Sequence, residues 1–97
     1  MEIKTTTAYA EWFLGLKDVK AKAKIAVRVN RIKAGNFGDC KSLKNGVSEL
    51  KINSGPGYRV YFGKQGNEII ILIAGSTKAN QQKAINKAKI LWEEINK

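Results

Sequence analysis

At 97 residues and 10.7 kDa the chain has length for one domain, burying roughly two thirds of its unfolded surface and leaving nothing for a second core. A composition that is 43% hydrophobic and 27% charged, with one proline, belongs to a folded chain; no apolar run approaches the roughly 18 to 20 residues of a membrane span, and a single cysteine without any histidine removes an internal disulfide, a zinc or iron centre and histidine-based catalysis. Eighteen Lys and Arg against eight Asp and Glu leave a formal +10 and a pI near 9.9, a balance that favours polyanionic partners.

The start, MEIKTTTAYAEW, lacks the apolar stretch of a secretory signal, so a cytoplasmic setting is expected. Glu2 to Thr6 is β-branched and extended in character, and Tyr9, Trp12, Phe13 and Leu16 then follow at the i, i+3, i+4, i+7 spacing of one helix face. This predicts a strand and a helix, with Thr7 as N-cap. After a break at Lys17 and Asp18, Val19 to Lys33 repeats the helical pattern, with Ala21, Ile25, Val29 and Ile32 on one side. Two helices in an antiparallel hairpin are expected. AGNFGDCKSLKNG then reads as a loop, its first glycine, Gly35, ending the second helix.

Val47 to Asn53, Gly57 to Gly63 and Glu68 to Ala74 are rich in β-branched and aromatic residues, and turn clusters separate them at Ser54 to Gly57 and Lys64 to Asn67. They predict an antiparallel meander. Ile69 to Ile73 is apolar without alternation, as in an interior strand covered on both faces. Asn80 to Asn96 places Ala84, Ala88, Leu91 and Ile95 on one stripe beside Ile85 and Trp92, the pattern of an amphipathic helix packed on the sheet. The predicted fold is a single α+β domain, residues 1–97, of order βααβββα with a mostly antiparallel sheet.

Strand alternation sorts the side chains into faces. Leu50 and Ile52 oppose Glu49, Lys51 and Asn53, while Tyr58, Val60 and Phe62 oppose Arg59 and Tyr61. Glu49, Lys51, Arg59 and Tyr61 therefore share a polar face, with Lys78 just past the end of the neighbouring strand. The plainer alternative is cross-strand charge pairing on a solvated sheet, worth up to about 1 kcal/mol each, and the strands alone favour it. Lys20, Lys24, Arg28 and Arg31 stripe the second helix with few acids nearby, suited to phosphates or an acidic protein segment, or else a solvated face. Cys40 reads as a bystander thiol, and Trp12 and Trp92 as core.

These residues resemble the RelE/ParE superfamily of bacterial toxins, and within it the small phage-associated branch of addiction module killer proteins similar to HigB-type toxins. The resemblance covers nearly the whole chain. It lies in Trp12-Phe13 with Leu16-Lys17-Asp18, Gly35-Asn36 with Gly38-Asp39, Gly46-Val47-Ser48-Glu49-Leu50, the GPGYRVYF block from Gly55 to Phe62, and Lys78 with Gln81. It implies a RelE-like fold and the toxin of a type II toxin–antitoxin system, an endoribonuclease (mRNA interferase) that cuts mRNA during translation on the ribosome, arresting growth, and is silenced by a cognate antitoxin. Other superfamily members inhibit DNA gyrase, which is the alternative activity. The family's basic positions fall on Lys51, Arg59 and Lys78. Two departures stand out: the branch carries Arg where this chain has Lys51, and the acidic residue early in its last helix is replaced near Ala84.

Cleavage through the neighbouring 2′-hydroxyl needs a base, charge on the phosphate and an acid for the leaving 5′ oxygen. Arg59 suits the phosphate, forking two donors onto its oxygens. Lys51 and Lys78 add charge, and either serves in proton transfer if neighbouring cations lower its pKa. Glu49 is the one carboxylate on that face and a candidate base; Tyr61 is the neutral candidate for proton transfer or base stacking. No cofactor or metal is called for. An antitoxin that is acidic, or that inserts acidic side chains, would neutralise part of the charge.

Overall fold

A computed structural model describes residues 1–97. Strand β1 (Glu2–Thr5) leads into helices α1 (Thr7–Gly15) and α2 (Val19–Lys33); β2 (Cys40–Ser42), β3 (Val47–Ile52), β4 (Tyr58–Gln65) and β5 (Ile69–Ser76) follow, and a 3₁₀ turn (Lys78–Asn80) opens helix α3 (Gln81–Ile95). The fold is α+β. Its five-stranded sheet has the order β1-β5-β4-β3-β2, antiparallel except for the parallel β1–β5 pair. No helix is long and apolar enough to cross a membrane.

Local chemistry sets the element ends. Thr6, not Thr7, caps α1: its Oγ1 accepts from the Tyr9 N–H at 3.0 Å and donates to the Ile73 carbonyl at 2.6 Å, so the same hydroxyl ends β1 and pins the helix to β5. Asp18 caps α2 through the Ala21 N–H, and Gly35 leaves that helix at φ +88°, as the loop glycine predicted. The segment expected to be entirely loop contains β2, which pairs with β3 from Cys40 opposite Leu50 to Ser42 opposite Ser48. Three residues of polar composition carry little strand signal; a free β3 edge to pair with decides their conformation.

The sheet is covered on both faces. Tyr9, Ala21, Ile25 and Ile32 of the first two helices close over Leu50, Ile52, Tyr58, Val60, Phe62, Ile70 and Leu72 on one side. On the other, Ala88 with Ala84, Ile85, Leu91 and Trp92 of α3 closes over Val47, Tyr61, Ile71, Ile73 and Ala74. The unbroken run on β5 thus feeds both cores, each fully buried Ile or Leu contributing about 1.5 to 3 kcal/mol. A bulge between Tyr61 and Phe62 makes Ile73 an extra residue on β5 and turns both Ile73 and Ala74 toward α3. The expected helix hairpin is a looser pairing: α1 lies over β5 and α2 against β3, side by side on one face.

Two tryptophans set how closely the helices approach. A Cβ at Gly63 on β4 would run into the Trp92 ring, and one at Gly75 on β5 into the Trp12 ring. Glycine is needed there for close approach, and the rings fill the space side chains would otherwise take.

Candidate functional site

Antiparallel pairing of β3 with β4 sets Glu49 opposite Tyr61 and Lys51 opposite Arg59. All four project toward the α3 side of the sheet, as alternation predicted, but that side is not solvated along its length. Glu49 is 7% exposed, Arg59 6% and Tyr61 not at all, because the start of α3 lies over them. The expectation of a polar sheet face bathed in solvent is therefore corrected: an amphipathic helix whose only sequence signature is its own stripe covers it. Lys51 and Lys78 are exposed at its rim.

Beneath the helix the buried groups form one network. Glu49 Oε2 accepts from Gln81 Nε2 at 2.9 Å and lies 3.8 Å from Arg59 Nε, the single ion pair of the molecule. Glu49 is thus engaged by Arg59 and Gln81 and not by Lys51. Arg59 Nη1 donates to the Gly57 carbonyl at 2.7 Å, which bends the side chain back over its own turn. Its Nε is buried without a hydrogen bond, and Nη2 has no protein partner. The Nε edge faces the Glu49 carboxylate, so Nη2 is the donor left for an outside oxygen. The Nε donor, buried and without a hydrogen bond, costs about 1 to 3 kcal/mol, which the charge of Glu49 offsets in part.

Gly57 brings the basic groups together. At φ +78° it takes the left-handed turn between β3 and β4, where an added Cβ would lie 3.1 Å from Arg59 Nη1 and 3.5 Å from Lys78 Cβ. The Lys78 N–H bonds the Pro56 carbonyl at 3.4 Å, docking the 3₁₀ turn on the same loop. Arg59, Lys78 and, directly across the strand, Lys51 therefore converge at one end of the sheet. Like charges facing each other on adjacent strands destabilise the sheet, and Glu49, diagonal to Arg59, offsets part of this.

The Tyr61 hydroxyl lies 2.9 Å from Ser76 Oγ, and burial pushes its pKa up, with Ser76 and Arg59 opposing and Glu49 reinforcing the shift. A fully buried ring is unable to stack on a base, and a phenol held protonated by burial is a poor proton donor or acceptor near neutrality. Tyr61 is a structural member of the network. Glu49 likewise holds Arg59 in place and is shielded from solvent, which argues against it as a mobile base.

The α2 stripe sits against the opposite face of the sheet. Lys20, Lys24 and Arg31 are exposed. Arg28 is not a free cation: its Nη1 donates to the Lys51 carbonyl at 2.9 Å and its Nη2 to the Asp39 carbonyl at 3.4 Å, tying α2 and the following loop to β3. Lys24 reaches the Asn53 carbonyl at 3.5 Å. The two basic sets thus meet only around the end of β3. Cys40 is half-buried and donates to the Phe37 carbonyl, and burial raises its pKa, with Arg28 opposing and Asp39 reinforcing, as suits an unreactive thiol. No group of three Cys, Asp or Glu side chains gathers to hold a metal. Gln81 and Ser76 complete the network but are 32 and 15 residues from the partners they bond, a distance that no spacing rule detects.

No protein-family model matches the chain. It is 45% identical over 95 residues to an uncharacterized protein of Haemophilus influenzae, a match that spans 98% of this chain and 96% of that one.

Proposed function

The chain belongs to one family with that Haemophilus influenzae protein, and we propose that it is a RelE/ParE-type toxin with a RelE-like fold, of the HigB-like branch of addiction module killer proteins, that cleaves mRNA on the ribosome without a metal. The observation that carries this reading is the convergence of Arg59, Lys51 and Lys78 at one end of the sheet, with Arg59 Nη2 left without a protein partner. In cleavage, the 2′-hydroxyl gives its proton to a water molecule as its oxygen attacks the adjacent phosphorus, the P–O5′ bond breaks, and O5′ takes up a proton, which leaves a 2′,3′-cyclic phosphate and a free 5′-hydroxyl. Arg59 stabilises the charge that grows on the phosphate oxygens, and Glu49, itself held by Gln81, keeps the guanidinium in place. Lys51 and Lys78 neutralise the backbone, and either ammonium donates a proton to the leaving oxygen. The site is strong in charge and poor in proton shuttles, so alignment of the mRNA by the ribosome is the aid it most needs.

A cytoplasmic antitoxin is the expected partner, and α2 is the surface that suits it. Its outward ridge of Val19, 77% exposed, Ala23 and Val27, 49% exposed, is apolar and flanked by Lys20, Lys24 and Arg31, with no acidic residue in the helix. That ridge also favours a second reading, a non-catalytic inhibitor of DNA gyrase that docks through α2. Induced expression with mapping of mRNA 5′ ends, and of gyrase-linked DNA breaks in the same cells, separates the two. The proposal expects growth arrest with new mRNA ends and intact DNA; arrest with DNA breaks and uncut mRNA refutes it.

A further inference from the structure

Beside the Arg59 network, between α3 and the β2 edge, lies a cavity of about 520 Å³ lined by Lys41, Leu43, Lys78, Gln81, Gln82 and Lys89 among others, with no acidic side chain. Its volume is within the roughly 300 to 1,000 Å³ of small-ligand sites. Lys41 is directly across from Glu49 on the β2–β3 ladder, so its side chain stands on the α3 side of the sheet. Lys89 comes from two helical turns along α3, and Lys78 from the turn that also flanks Arg59. None of the three ammoniums has an ion pair, since the only one joins Glu49 to Arg59, and the only lysine ammonium hydrogen-bonded to protein is that of Lys24. The three like charges repel, and Glu49, across the ladder from Lys41, is already engaged by Arg59 and Gln81. Gln81 and Gln82 spend their amide N–H groups on Glu49 and Asn86, which leaves two carbonyl oxygens on the wall as acceptors.

The geometry points to a second RNA subsite here, taking the nucleotide next to the scissile bond: its phosphate on Lys41 and Lys89, the donor edge of its base on the two glutamine oxygens, and Lys78 shared with the cleavage site. The nature of the ligand rests on the nuclease reading. A flexible single strand laid over this end of the sheet would meet the cations of both sites in succession, and its bases, being unstacked, would be open to the amides.

The test uses the whole chain and a short 2′-O-methyl oligoribonucleotide, which lacks the nucleophile and stays uncut. The double variant K41A/K89A is expected to weaken its binding about tenfold, uniformly across base sequences, and to lower the slope of log affinity against log salt by about 0.7, the loss of one single-strand phosphate contact. On cleavable RNA it raises KM and leaves kcat unchanged. K83A/K87A, which removes two exposed lysines of α3 that line a different cavity, is the charge-matched control and leaves binding as it was. Equal losses in the two double variants, or unchanged KM in K41A/K89A while the wild type cuts RNA, overturns the subsite and leaves the nuclease reading standing. Oligonucleotide binding that depends on Lys41 and Lys89 in a chain that never cuts RNA upholds the subsite and refutes the nuclease reading.

Discussion

Removing the Arg59 guanidinium disturbs stability and cleavage together, and a second substitution separates them. In Arg59→Ala the Glu49 carboxylate, 7% exposed, keeps only Gln81 as partner. Stripping one member from a buried ion pair costs 3 to 5 kcal/mol in general; the long 3.8 Å separation places this pair at the lower end, about 3 kcal/mol. For a chain of this length that is a fall of about 12 to 24 °C in melting midpoint, a large share of a typical total stability of about 5 to 15 kcal/mol. Loss of a contact to the transition-state phosphate costs cleavage about 2.7 to 4 kcal/mol, a hundred to a thousandfold in rate. In Arg59→Ala/Glu49→Gln neither charge remains, so at least half of the lost stability returns while cleavage stays at the single variant's level. Urea denaturation and single-turnover cleavage of a defined mRNA fragment measure the two quantities on the same preparations. Recovery of cutting in the double variant would show that Arg59 never touches the phosphate, and an Arg59→Ala chain as stable as the wild type would show that the buried pair is energetically idle.

Three further outcomes follow from burial and bonding. Lys51→Ala and Lys78→Ala, both at exposed positions, leave unfolding free energy within about 0.5 kcal/mol and lower cleavage at least about tenfold; a rate equal to wild type for either variant removes that lysine from the site. Arg28→Ala, which loses its bonds to the Lys51 and Asp39 carbonyls, costs about 1 kcal/mol, whereas Lys20→Ala and Arg31→Ala stay within about 0.5 kcal/mol, and equal losses in urea denaturation would contradict the tethering role. Tyr9, pushed up to about 12 by burial, and Tyr61, raised by burial, hold their protons where an unfolded chain releases them near pH 10. The unfolded state therefore binds fewer protons there, so stability is level below about pH 10 and falls as pH climbs toward the folded values, at about 1.4 kcal/mol per pH unit for each group. Ring signals of Tyr9 or Tyr61 that titrate near pH 10 in the folded chain would show that the rings are solvated.

The sequence alone settles every long element, because each carries a periodic signal strong enough to stand alone: the Ala21, Ile25, Ile32 stripe of α2, the alternation of β3 and β4, and the unbroken run of β5 that required cover on both faces. It also determined that Glu49, Lys51, Arg59 and Tyr61 share one side of the sheet, since side-chain direction in a strand follows from parity. Parity says nothing of what lies above. It takes the folded chain to show that α3 buries Glu49, Arg59 and Tyr61 and leaves Lys51 and Lys78 at the rim, that Arg28 spends its charge on two backbone carbonyls, and that a three-residue stretch read as loop becomes the edge strand that supplies Lys41. Each of these depends on a partner far away in the chain, and burial, hydrogen bonding and edge pairing are properties of the pair, absent from either segment alone.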